Sequence, residues 1–245
     1  PCGAAPEIEL TVAESIAAYS CIEAELTAGY AKSGDLFAAL ALNRKQREYD
    51  IVLISSENGD VVSNLTEGFD QDLGFESIAI PGARWNAVPW MSWSGIDDRL
   101  AYFVRRNKYR SLVLQNVVTR DIEELISLDT VDAPESPDIS PDGRTVAFSA
   151  LQSAVGDIYL LDLATQEVTN LTEDEYADYA PTFSPDGSFL VYLARISGNN
   201  KLFKLDLETK RKTQLTFGTF SEAAAQFVDD HTLVFSSTAT DPPIP

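Results

Sequence analysis

Ser140-Pro141-Asp142-Gly143 recurs as Ser184-Pro185-Asp186-Gly187, 44 residues further along the chain. Two more landmarks keep the same offset: DIYLLDL at 157–163 with KLFKLDL at 201–207, and NLT at 170–172 with QLT at 214–216. Three landmarks that share one offset indicate an internal repeat of about 44 residues. Repeats of this length are typical of solenoids and propellers, in which each unit buries its apolar faces against its neighbours.

Each repeat is predicted to form four short antiparallel strands. Ser-Pro-Asp-Gly has the composition of a type I turn, because proline presets the backbone angle of the second position and glycine suits the fourth. In the later copy a short segment at 180–183 precedes this turn, and a β-rich run at 188–194, an alternating run at 201–207 and a polar run at 211–216 follow it. Four strands in about 40 to 45 residues match a propeller blade, so we predict an all-β chain folded as a β-propeller.

About four and a half blades are visible in the sequence. In the second blade, the turn after Ser94 is predicted to be one residue longer than Ser-Pro-Asp-Gly. Residues 1–26 form an N-terminal arm of uncertain structure. Closed propellers have about 4 to 8 blades, so the count fits a five-bladed ring or an open arc of a larger ring, and both termini read as cuts within a longer polypeptide. The predicted blades are residues 27–68, 88–133, 134–177, 178–221 and, in part, 222–245.

The blade signature resembles the WD40-like repeat of the TolB β-propeller family. The resemblance is close over 134–221 and moderate over 27–68 and 88–128. It implies a periplasmic or secreted bacterial protein in which the propeller is a scaffold for protein binding or substrate gating. Similar propellers also lie beside the catalytic domains of bacterial peptidases, and the segments 44–69 and 85–103 resemble those propellers in particular.

The charge balance argues against polyanionic partners. The chain has 245 residues, with 38 acidic against 18 basic side chains and a formal net charge of −20. Such a field repels nucleic acid and anionic lipid, so we expect a protein or peptide as the partner. No apolar run reaches the roughly 18 residues that a membrane-spanning helix needs.

The sequence offers no catalytic constellation, and we predict neither enzymatic activity nor a bound cofactor or metal. Nucleophilic catalysis by serine or cysteine usually needs a histidine base, and the one histidine, His231, falls at a turn position of the last half blade. The acidic stretch 121–142 and the cluster 173–175 lack calcium-loop spacing, so we expect solvent-facing loops that a chelator leaves unaffected. Asn64 and Asn170 match the glycosylation pattern, but the repeat itself explains them.

The loop at 69–89 is the best candidate for a binding site, because long loops in compact domains are often functional. It is longer than the other joints between blades, and aromatic and arginine side chains are enriched at binding hot spots. The alternative is that its tryptophans, with Trp93, simply pack between blades. Cys2 and Cys21 could form a disulfide in an oxidising compartment, or remain two free thiols. The candidate binding residues are Asp70, Arg84, Trp85 and Trp90.

Three functions remain open at the level of sequence. The first is a non-catalytic propeller that binds protein or peptide in the bacterial envelope or a secreted protein. The second is an accessory or gating propeller of a larger peptidase. The third is a structural assembly subunit that self-associates through open strand edges. A shared fold cannot choose among them.

Overall fold

The computed structural model describes residues 34–43, 48–66, 91–106, 109–152 and 155–238. Every regular element in these ranges is a β-strand, and none is a helix. Blade 1 contains β1 (Leu36–Asn43), β2 (Glu48–Ser55) and β3 (Val61–Asn64); blade 2 contains β4 (Met91–Trp93), β5 (Arg99–Arg106), β6 (Tyr109–Asn116) and β7 (Ile122–Ser127). Blade 3 contains β8 (Asp132–Ile139), β9 (Thr145–Gln152), β10 (Val155–Asp162) and β11 (Val168–Asn170). Blade 4 contains β12 (Asp178–Phe183), β13 (Phe189–Ile196), β14 (Asn199–Asp206) and β15 (Lys212–Gln214), and blade 5 contains β16 (Glu222–Phe227) and β17 (Leu233–Ser237).

Each blade is a separate antiparallel sheet whose strands pair in chain order. Blades 2, 3 and 4 have four strands each, blade 1 has three described strands, and blade 5 has two. The predicted all-β fold of antiparallel propeller blades is therefore confirmed. The first strand expected for blade 1 and the arm at 1–26 lie outside the described residues.

The Ser-Pro-Asp-Gly turns form as their composition predicts. The Gly143 N–H donates to the Ser140 carbonyl at 2.8 Å, and Gly143 takes a φ of 70°, which favours glycine. The Ser140 hydroxyl donates to Asp142 at 2.6 Å and accepts the Thr145 N–H at 3.0 Å. These side-chain bonds fix the exit of the turn into β9.

The prediction of a longer turn in blade 2 is wrong. The Ser94 N–H bonds the Arg99 carbonyl, and the Ser140 N–H bonds the Thr145 carbonyl, both at 2.9 Å. The two turns therefore span the same number of residues. Asp97, which bonds the Arg99 side chain at 2.9 Å, caps this turn in a different way from Asp142.

The Asn-Leu-Thr landmark locks the fourth strand onto the third. The Ile158 N–H donates to the Thr172 hydroxyl at 3.0 Å, and the Leu171 N–H donates to the Ile158 carbonyl at 2.8 Å. Asn170 accepts the Thr172 N–H at 3.0 Å and donates to Asp157 at 2.9 Å. The side-chain amide of Asn170 thus makes its hydrogen bonds within the blade. The same threonine bond occurs in blades 1 and 4, from Ile51 to Thr66 and from Leu202 to Thr216.

Most of the described core lies between blades, since neighbouring sheets supply the two halves of four apolar clusters. One further cluster comes from β1 and β2 of blade 1 alone and contains Phe37, Ala39, Val52 and Ile54. Tyr102, Phe148 and Tyr192 occupy equivalent positions of β5, β9 and β13, and each is at most 1% exposed. Trp93 packs against the cluster between blades 1 and 2, in agreement with the packing interpretation for this tryptophan.

Candidate functional site: the inner strands and their turns

The first strands of successive blades contact one another and form the innermost layer. β4 contacts β8, β8 contacts β12, and β12 contacts β16. Ser136, Ala180 and Ala224 take a φ of 51° at equivalent positions of β8, β12 and β16, where the pairing with the second strand shifts register. This repeated β-bulge bends each inner strand just before it reaches the turn.

We call Ser92, Asp138 and Thr182 the inner belt, because they hold equivalent positions of three successive inner strands. Ser92 donates from its hydroxyl to Asp138 at 3.0 Å and accepts the Ile139 N–H at 3.1 Å. Asp138 accepts the Phe183 N–H at 2.7 Å. Ser92 and Asp138 thus each bond the backbone of the next blade, which ties blades 2, 3 and 4 together at the centre.

Asp138 has an unusual protonation equilibrium for a carboxyl group. Burial raises its pKa to about 6, although the Phe183 N–H and the Ser92 and Thr182 hydroxyls work in the opposite direction. Burial in a region of low dielectric disfavours the charged form, and here it outweighs three hydrogen bonds. The carboxyl of Asp138 therefore changes charge within the range of mildly acidic pH.

We call the turns that follow the inner strands the turn face: residues 94–99, 140–145, 184–189 and 228–232. The Arg99 guanidinium donates to the Gly143 carbonyl at 3.2 Å. A Cβ at Gly143 would lie 2.7 Å from the Ile96 Cδ1, and one at Gly187 would lie 3.5 Å from the Pro141 ring. The turns of blades 2 and 3, and those of blades 3 and 4, are therefore in direct contact.

Negative charge on the turn face persists to low pH. The Ser184 hydroxyl and the Ser188 N–H and hydroxyl lower the pKa of Asp186 to about 2. The Ser140 hydroxyl lowers the pKa of Asp142, and the His231 N–H lowers that of Asp229. Two apolar side chains, Ile96 and Val228, are 45% and 67% exposed beside these carboxylates. The face thus combines fixed negative charge with exposed apolar surface.

The described part of the chain has few side chains of the kinds that act in catalysis or metal binding. His231 is exposed in the turn between β16 and β17, where its N–H bonds Asp229 at 2.8 Å. Within the described ranges, no group of three or more His, Cys, Asp or Glu side chains is placed to hold a metal ion. No helix there is long and apolar enough to cross a membrane.

The residues predicted as a binding site lie outside the described residues. This holds for Asp70, Arg84, Trp85 and Trp90 and also for Cys2 and Cys21. The inner belt was missed, although its signal was present in the sequence. Ser92 and Asp138 precede the two turns by the same number of residues, and Thr182 follows Asp138 by one repeat. Aligning the turns would have brought the three residues together.

Structural comparisons give the same fold. TolB from Acinetobacter baumannii matches with a TM-score of 0.55 and 18% identity, over 80% of this chain and 42% of that one. A putative TolB from Agrobacterium tumefaciens matches with a TM-score of 0.59 and 17% identity, over 76% of this chain and 62% of that one. An oligogalacturonate lyase from Vibrio parahaemolyticus reaches a TM-score of 0.59 at 11% identity, over 85% of this chain and 57% of that one. The chain thus covers less than two thirds of each of these proteins.

A family model sharpens the assignment beyond fold. No curated protein sequence matches the chain. The model described as the TolB beta propeller domain matches residues 40–242, which is most of the chain. This range contains all the described blades except the first residues of β1 and the turn before it. The chain therefore belongs to the TolB β-propeller domain family.

Proposed function

We propose that this chain is a non-catalytic propeller that binds a protein or peptide through its turn face, in the bacterial envelope or in a secreted protein. The observation that carries this proposal is the turn face itself, where fixed carboxylates and exposed apolar side chains lie on a row of turns held in contact. A site built on rigid elements binds at a low cost in conformational entropy.

The charge of the turn face indicates the chemistry of the partner. Hydrogen bonds hold the pKa values of Asp142 and Asp186 below the ordinary value for aspartate, which favours the ionised form of both carboxyls. Complementary charge steers association and excludes like-charged partners. Together with the net charge of −20, this favours a basic segment with apolar side chains as the ligand.

The proposal predicts that peptides selected from a random display library on the immobilised chain are enriched in lysine or arginine beside apolar residues. The double variant Asp142→Asn/Asp186→Asn should weaken the selected peptides about 10-fold or more, since removing charges from an interface commonly costs this much. The affinity is measured by fluorescence anisotropy at fixed ionic strength.

The matched control is Asp162→Asn/Asp206→Asn. These carboxylates cap the turns between the third and fourth strands, bond threonine N–H groups at 2.8 Å and also have lowered pKa values. The control removes the same charge and the same kind of cap at a position further from the inner strands. Equal losses of affinity in the two double variants, or no enrichment over an unrelated acidic protein, would refute the proposal.

The second candidate is an accessory propeller of a larger enzyme. It is supported by the oligogalacturonate lyase match and by a hydrazine synthase chain from Kuenenia stuttgartiensis, which matches with a TM-score of 0.52 over 81% of this chain and 50% of that one. In this case the turn face would contact the catalytic part of the polypeptide. Crosslinking of the natural polypeptide, followed by mass spectrometry of peptides from 140–145, distinguishes an internal partner from a separate one.

A further inference from the structure

Two junctions between blades place charged side chains at the same two backbone positions, but the charge at the first position differs in sign. At the junction of blades 4 and 5, Lys201 and Glu222 form an ion pair at 3.1 Å, with both side chains at most 4% exposed. One repeat earlier, 44 residues back, the same positions hold Asp157 and Asp178. The lysine has therefore been replaced by a second carboxylate at the junction of blades 3 and 4.

The local frame around the two pairs is the same. The residue after Asp157 donates its N–H to Thr172 at 3.0 Å, and the residue after Lys201 donates its N–H to Thr216 at 2.9 Å. Asp178 begins β12 as Glu222 begins β16. The difference between the junctions is thus one of side chains and not of backbone path.

Asp178 is the unusual member of the acidic pair. It is 1% exposed, and neither of its carboxylate oxygens has a hydrogen-bond partner. The Thr172 hydroxyl lies close enough to lower the pKa of Asp178, but its one proton is directed to Asp157 at 3.2 Å. Burying an ionised carboxylate without a partner strongly destabilises the folded state. A proton or a further positive charge must therefore neutralise Asp178.

The surroundings of Asp178 are mostly acidic. Burial raises its pKa to about 7, the charges of Asp174 and Asp157 add to this rise, and Lys212 opposes it. Lys212 is already bonded to Asp174 at 2.5 Å and to the Thr172 carbonyl. Asp178 thus lies within the electrostatic reach of two other carboxylates and one ammonium group, and that ammonium group is already paired with Asp174.

We propose that a hard divalent cation of the calcium type binds between the Asp157 and Asp178 carboxylates, where the Lys201 ammonium group lies in the next blade. Calcium takes six to eight oxygen ligands and accepts hydroxyl, carbonyl and water oxygens beside a small number of carboxylates. Two carboxylates balance its charge. Magnesium requires stricter geometry and retains its water, so it suits a buried pair less well.

The test compares thermal unfolding of the full chain in EGTA and in millimolar CaCl2, at pH 7.5 and constant ionic strength. Saturating calcium should raise the melting temperature by about 5 °C or more, since a ligand that binds only the folded state stabilises it by mass action. Asp178→Asn and Asp157→Asn should abolish the shift. The matched control Glu222→Gln changes the equivalent carboxyl of the next junction and should retain it.

A variant that introduces the lysine of the next junction gives a second test. Asp157→Lys rebuilds the Lys201 arrangement one blade earlier, so its melting temperature should no longer depend on calcium. Terbium luminescence gives a readout apart from stability: the wild type should bind one Tb³⁺ that calcium displaces, and Asp178→Asn should not. Identical melting curves for the wild type in EGTA and CaCl2 would overturn the proposal, as would a shift or a terbium signal that persists in both asparagine variants.

Discussion

Blades 4 and 5 follow the same repeat, but equivalent side chains are buried in blade 4 and exposed in blade 5. Tyr192 on β13 is 1% exposed, whereas its equivalent on β17, Phe235, is 39% exposed. Val191, which pairs with Thr182, is also 1% exposed, whereas Val234, which pairs with the equivalent Gln226, is 53% exposed. Equivalent positions of the repeat are thus buried in blade 4 and exposed in blade 5. Burial in this fold comes from the neighbouring blade, because a single four-stranded sheet cannot cover its own faces.

The largest effect is expected from Tyr192→Ala. Removing a fully buried aromatic ring from the cluster between blades 3 and 4 should lower the free energy of unfolding by about 3–5 kcal/mol. Phe235→Ala should cost far less, because its ring is partly in water. Urea unfolding followed by fluorescence measures both variants. Equal costs would contradict the account of burial given by the comparison.

The next effect concerns the buried ion pair that joins blades 4 and 5. Lys201→Met leaves the Glu222 carboxylate buried without its partner and should cost about 3 kcal/mol or more. The double variant Lys201→Met/Glu222→Leu should recover most of this loss, since it removes both charges. If the double variant is no more stable than the single variant in urea unfolding, the pair contributes net stability and not only mutual neutralisation.

A smaller difference should separate two equivalent glycines of the turn face. Gly143 and Gly187 have φ angles of 70° and 71°, so alanine is strained at either position by about 1 kcal/mol. A Cβ at Gly143 would also lie 2.7 Å from Arg99 and Ile96, whereas one at Gly187 meets only Pro141, at 3.5 Å. Gly143→Ala should therefore be the less stable variant in thermal unfolding. The reverse order would mean that the inner turns of blades 2 and 3 are not in contact.

The smallest effect is a change in stability with pH, measured in EGTA. The folded-state pKa of Asp178 is about 7 and that of Asp138 about 6, both above the ordinary 3.8. Between pH 4 and 7 the folded chain therefore binds more protons than the unfolded chain, and its stability should fall as the pH rises through this window. Asp178→Asn should flatten the upper part of the curve and leave the lower part to Asp138. Acid pH should destabilise only below about 4, where the unfolded chain binds protons on turn carboxylates such as Asp186 that stay ionised in the folded chain down to a pKa of about 2.

The sequence predicted most of the fold because turn chemistry and strand alternation are local properties. The Ser-Pro-Asp-Gly turns and the Asn-Leu-Thr hydrogen bonds join residues that are a few positions apart or in one hairpin. Their residue pattern is therefore visible in the sequence. The turn after Ser94 was misjudged because its composition differs while its hydrogen-bonded span does not.

The candidate site was harder to predict because it depends on contacts between repeats. Ser92 and Asp138 are 46 residues apart and meet only when neighbouring inner strands pack. The absence of a partner for Asp178 likewise depends on which hydroxyl proton reaches which carboxylate, and no local pattern carries that information. Asp70, Arg84 and Trp85 in the loop at 69–89, with Trp90 directly after it, remain a prediction.

Hydrogen exchange measured by mass spectrometry, blade by blade, tests the central claim most directly. If neighbouring blades supply the core, amides of β9 and β13 should exchange only through the largest openings of the molecule, because their sheets are covered on both faces. Amides of β17 should exchange much faster, although its sequence follows the same repeat. Equal protection of β13 and β17 would contradict the account, since each blade would then be stable without the neighbour that covers it.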